Sequence, residues 1–90
     1  MTKENRAAVW SELEQLFLEL KNMMPEIFSS SEWEEVFSLV RANEFGLALD
    51  TFIDICKEEK KEVPKSARDL LVQIAARMEI SPSHVLNKLP

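Results

Sequence analysis

The sequence predicts an all-α fold, a small bundle of four main helices with a short fifth helix at the C-terminal end. Three observations carry this expectation. Apolar residues recur at the three- and four-residue spacing of helices, and no window alternates with the period of two that marks a strand. Glycine occurs once and tyrosine never in the 90 residues. Serine, asparagine and proline interrupt the apolar stretches where helix ends are expected. The length suits a single domain over residues 1–90. With 46% hydrophobic residues, a chain this long buries roughly 60–65% of its unfolded surface, enough for one core.

The first helix is expected from Lys3 to Met24, with Thr2 as its cap and Pro25 as its stop. Val9, Leu13, Leu16, Leu20 and Met23 form one apolar stripe, and Trp10, Phe17 and Met24 widen it. A stripe this broad implies contact on two sides. The segment from Pro25 to Ser30 is a connector with room for one helical turn. The second helix is expected to start at Ser31, which has capping-box spacing to Glu34. Trp33, Val36, Phe37 and Val40 mark its buried face, and it ends near Ala42. Asn43 is placed to stop this helix and cap the next.

The third helix spans Glu44 to Glu59, with Phe45, Ala48, Leu49, Phe52, Ile53 and Cys56 on its apolar side. Gly46, in its first turn, is read as a point of close helix approach. The run Lys57-Glu58-Glu59-Lys60-Lys61-Glu62 frays it into a solvated loop. The fourth helix follows Pro64, with Ser66 as the expected cap and Leu70, Leu71, Ile74, Ala75 and Met78 as its stripe. Ser81-Pro82 opens the short fifth helix, serine capping and proline in the first position. Val85, Leu86 and Leu89 are its docking residues.

Composition restricts the chemistry. One cysteine, Cys56, and one histidine, His84, are too few for a structural zinc site. A single cysteine forms no internal disulfide. The lone Gly46 rules out a glycine-rich phosphate loop. Cys56 and His84 are formally a nucleophile–base pair, but Cys56 falls on an apolar helix face and reads as core packing. The expectation is therefore a protein with no catalytic residues, no metal and no cofactor. No apolar run approaches the ~20 residues of a membrane helix, and the N-terminal stretch Ala7–Trp10 is too short for a signal-peptide core. A cytoplasmic location follows as the expectation.

The formal net charge is −5. Residues 1–56 hold four basic and eleven acidic side chains, for −7, whereas residues 57–90 carry +2. A net acidic chain is a poor partner for a phosphate backbone. An acidic face instead attracts a basic protein and speeds its association. On the third helix Asp50, Asp54 and Glu58 recur every four residues and share one face. Such like-charge pairs cost a few tenths of a kcal/mol each, and Lys57 and Lys61 are placed to offset them. Glu32, Glu34 and Glu35 surround Trp33, where acids also suit the positive end of a helix. Lys65, Arg68 and Arg77 read as ordinary surface charges. Asp50, Asp54 and Glu58 are the leading candidates for partner binding, with Glu32, Glu35 and Glu62 behind them.

The stretch Asn43-Glu44-Phe45-Gly46-Leu47-Ala48-Leu49-Asp50, followed by Phe52, resembles a pattern in the MafI-type immunity proteins. In that pattern an acid and an aromatic open a helix that continues Leu-Ala-Leu-acid. The acidic-basic loop ending in Val63-Pro64 and the following Leu70-Leu71-x-x-Ile74-Ala75-x-x-Met78 resemble the family's next elements. The similarity covers roughly residues 33–80. It implies a cytoplasmic inhibitor of one cognate toxin domain from a secreted polymorphic or contact-dependent growth-inhibition system. Such toxins are often nucleases with basic surfaces. The competing reading is a helical adaptor or regulatory homodimer using the stripe of Trp10 and Phe17. The sequence leaves the oligomeric state open.

Overall fold

The computed structural model describes residues 6–90. Five helices follow one another: α1 (Arg6–Met23), α2 (Ser30–Arg41), α3 (Phe45–Glu59), α4 (Lys65–Arg77) and α5 (Pro82–Leu86). No strand occurs among the described residues. The expected start of the first helix at Lys3 and its cap Thr2 lie outside them. The helices pack as two pairs, α2 against α3 and α1 against α4, with α1 also touching α2 and α5 lying on α4. The radius of gyration, 12.7 Å, matches the roughly 12 Å of a compact 90-residue chain.

On α1 the buried line is Leu13, Phe17, Leu20 and Met24. Val9 and Leu16 are half-buried against the core, while Trp10 and Met23 remain exposed at its edges. The stripe read from sequence is thus rotated slightly, with Phe17 rather than Leu16 at its centre. An aromatic cluster joins the pairs. Phe28 of the connector meets Trp33 and Phe52, each with ring centroids 4.9 Å apart. Trp33 also reaches Phe37 and Phe52 at 6.0 Å. Such offset and tilted rings add about 0.5–1.5 kcal/mol per pair beyond their burial. The Trp33 indole N–H donates to the Pro25 carbonyl at 2.9 Å, so the connector is a turn held by a side chain, without a helical turn of its own.

The helix ends correct four sequence expectations. The capping box of α2 is Ser29 and Glu32, not Ser31 and Glu34. Ser29 Oγ accepts from the Glu32 N–H at 3.2 Å, and Glu32 Oε1 accepts from the Ser29 N–H at 2.9 Å. Three consecutive serines compete for this role. Only Ser29 places an apolar residue before the cap, Phe28, to staple onto Trp33 in the first turn. Asn43 does not cap α3. It adopts a left-handed φ of 60° and closes α2, with the Glu44 N–H donating to Leu39 O and the Asn43 N–H to Val40 O, a Schellman closure. Ser66 does not cap α4 either. That helix starts two residues earlier, at Lys65 behind Pro64, without a side-chain cap. Around Gly46, its own helical turn aside, no atom lies within 4 Å of a Cβ placed there, so it is open surface and not a helix crossing.

Lys60 and Glu79 repeat the left-handed closure of Asn43, with φ of 54° and 60°. Lys61 N–H donates to Cys56 O, and Ile80 N–H donates to Ala75 O. The fifth helix forms as expected, its cap Ser81 accepting from the Ser83 N–H. Val85 and Leu89 are buried, but Leu86 is exposed.

Candidate functional site

α3 buries Phe45, Ala48, Leu49, Phe52, Ile53, Ile55 and Cys56. Its opposite face therefore points outward by helical geometry. Asp50, Asp54 and Glu58 all lie on that face and are exposed. From Asp50 to Glu58 the stripe runs about 12 Å along the axis, at 1.5 Å per residue. Its acids differ in their neighbours. His84 of α5 brings Nε2 to 3.7 Å from Asp50 Oδ1. Among the described residues no ion pair joins Asp54 or Glu58 to a base, and Lys57 does not close on Asp54. Lys61 instead faces Glu59 at 3.9 Å.

One further residue belongs to this face. Leu47 is 54% exposed, the most exposed of the large apolar side chains among the described residues. It precedes Asp50, Asp54 and Glu58 by three, seven and eleven residues, all positions on one side of a helix. That register was readable in the sequence, where Leu47 falls outside the series of buried positions on its helix.

The secondary candidates are dispersed. Glu32 is committed to the cap of α2, and its carboxylate meets Glu59 from the C-terminal turn of α3. Two facing acids favour holding one proton between them. Glu59 is raised above the ordinary carboxylate value, chiefly by its hydrogen bond to Glu32, while the same bond and the Ser29 N–H lower Glu32. Glu59 was not singled out from sequence, because spacing within one helix does not reveal a contact between two. Glu35 and Glu62 are exposed, on α2 and on the loop before α4.

Two basic residues read as ordinary surface charges make tertiary contacts. Arg68 donates to the Val63 carbonyl at 2.9 Å and to the Pro90 carbonyl at 3.1 Å, tying the loop and the C-terminal end to α4. Arg77 pairs with Glu12, bridging α4 to α1. Lys65 does pair at the surface, with Asp69 one turn on.

Cys56 is fully buried, and loss of solvation pushes its thiol up to about 12, with Glu59 adding to the effect. A thiol so raised forms almost no thiolate at neutral pH, and His84 lies beside Asp50, with Nε2 3.7 Å from Oδ1. No group of three or more His, Cys, Asp or Glu able to hold a metal occurs among the described residues. No helix among them is long and apolar enough to cross a membrane.

Among the described residues, two grooves stand out on the surface. One, about 570 Å³, lies between α1 and α4 and is lined by Ala8, Leu16, Glu19, Gln73 and Ala76 together with the Glu12–Arg77 pair. The other, about 510 Å³, is walled by Leu18, Lys21, Phe37 and Arg41. Lys21 lies over the Phe37 ring there, and Arg41 pairs with Glu34. Compared with protein-family models, curated proteins and solved structures, the chain matches none.

Proposed function

We propose that this protein is a cytoplasmic immunity protein that binds and neutralises a cognate secreted toxin domain with a basic, nuclease-type surface. It acts by occlusion and not by catalysis. The observation that carries the reading is the outer face of α3, where Asp54 and Glu58 stand exposed without a compensating base. An uncompensated acidic face raises the local concentration of a basic partner and speeds encounter by about 10- to 1,000-fold. It also resembles, in charge, the phosphate backbone that a nuclease surface recognises. The similarity of residues 43–52 and 63–78 to the MafI-type pattern points the same way.

The test is to co-express the protein with the toxin domain encoded by its neighbouring gene. A stable complex and relief of toxicity are expected, and failure of both sinks the proposal. With the complex in hand, the double reversal Asp54→Lys, Glu58→Lys should slow association about tenfold or more at low ionic strength and flatten its salt dependence. The adaptor or homodimer alternative loses one of its two contact residues, since Phe17 is fully buried inside the chain.

A further inference from the structure

We infer that the outer face of α3 is a two-part docking surface for a polypeptide that presents an apolar pocket between Lys and Arg side chains. Leu47 fills the pocket, and Asp50, Asp54 and Glu58 meet the cations. The inference deepens the proposed function and rests on its choice of α3 as the binding face.

The argument starts from register. Leu47, Asp50, Asp54 and Glu58 form one line about 16 Å long on a straight helix. Among the described residues no other element covers this line. His84 approaches only Asp50 at its edge, and Gly46, beside Leu47, has open space where a side chain would stand. A partner's side chains can therefore reach the α3 backbone next to Leu47. Charge then selects the occupant. The face repels phosphates and anionic headgroups alike, which leaves a basic polypeptide as its complement. The α1–α4 groove offers such a partner less negative charge, because Glu12 is paired with Arg77 there and Glu19 is its one other acid.

The two parts have different kinetic duties. Long-range charge sets the rate of encounter, whereas a desolvated apolar anchor sets the rate of escape. Leu47 should thus govern dissociation and the acids association. An anchor of this kind is ringed by contacts that exclude water, and truncating it costs about tenfold in affinity or more.

The experiment titrates the ¹⁵N-labelled full chain with a synthetic helical peptide whose one face carries a leucine stripe flanked on both sides by lysines. Amide shifts are expected along residues 46–58. Leu47→Ser should weaken binding about tenfold at both low and high salt. Asp54→Lys with Glu58→Lys should weaken it mainly at low salt. A lysine peptide whose leucines are replaced by serine should bind weakly and respond little to Leu47→Ser. Unchanged far-UV circular dichroism of each variant confirms that the fold is kept. Shifts confined to the α1–α4 groove, absence of binding, or indifference of the leucine-bearing peptide to Leu47→Ser would each overturn the inference. The toxin experiment separates the two readings. A toxin complex indifferent to Leu47→Ser removes the anchor and leaves the immunity function. Peptide binding on α3 without any toxin complex removes the immunity function and leaves the surface.

Discussion

Glu59 sits in the last turn of α3, where the helix dipole already disfavours a negative charge. Facing Glu32 raises its affinity for a proton further. A group raised in the folded state stabilises the fold below its ordinary value of 4.5, and that contribution is lost as pH rises through the folded value. Glu32, lowered by the same contact, contributes above its ordinary value and loses that contribution as pH falls through its folded value. Glu59→Gln replaces the shared proton by a permanent amide donor. Urea denaturation of this variant should show stability close to the parent at pH 4 and higher than the parent at pH 7. An equal difference at both pH values would dismiss the shared proton. Neither partner of this pair was legible as such, because the contact joins residues 27 positions apart on different helices.

At the level of elements, local rules predicted where helices exist better than where they end. Ser81-Pro82 needed no tertiary help, since serine at the cap and proline in the first turn act within a few residues. The Ser31–Glu34 spacing misplaces the start of α2, because Ser29, Ser30 and Ser31 are all able to cap. Packing of Phe28 on Trp33 and the Trp33–Pro25 hydrogen bond decide for Ser29. The two serines accordingly differ in their expected mutational cost. Ser29→Ala should lose about 1 kcal/mol of stability, whereas Ser31→Ala should stay within about 0.5 kcal/mol. Thermal or urea unfolding distinguishes them, and equal costs would refute the assigned cap. Asn43, Lys60 and Glu79 show the converse limit. A chain with a single glycine closes three helices with residues that tolerate the left-handed conformation less well, so the usual glycine signal is missing.

For the whole molecule, the decisive packing unit is the aromatic cluster linking the connector, α2 and α3. Phe52 is fully buried and touches both Phe28 and Trp33. Its truncation removes contacts to two segments at once. Phe52→Ala should cost about 3–5 kcal/mol, a large share of the roughly 5–15 kcal/mol that holds a domain folded. The midpoint of urea denaturation should fall accordingly, and a loss below 1 kcal/mol would show that the cluster is not a structural centre. The Glu12–Arg77 pair, partly exposed and screened, is expected to matter far less.

The amino-acid sequence alone carries the all-α class, the approximate positions of five helices, and the common face of Asp50, Asp54 and Glu58. These follow from periodicity and short-range caps, which act over three or four residues. It also carried the register of Leu47 among those acids. The tertiary structure decided which charges are compensated, because pairing depends on contacts between distant segments. It brought His84 to Asp50, Arg77 to Glu12 and Glu32 to Glu59, and it left Asp54 and Glu58 open. It likewise separated Leu47 from the core that takes its neighbours Ala48 and Leu49, since burial is set by which helices meet and not by hydrophobicity alone.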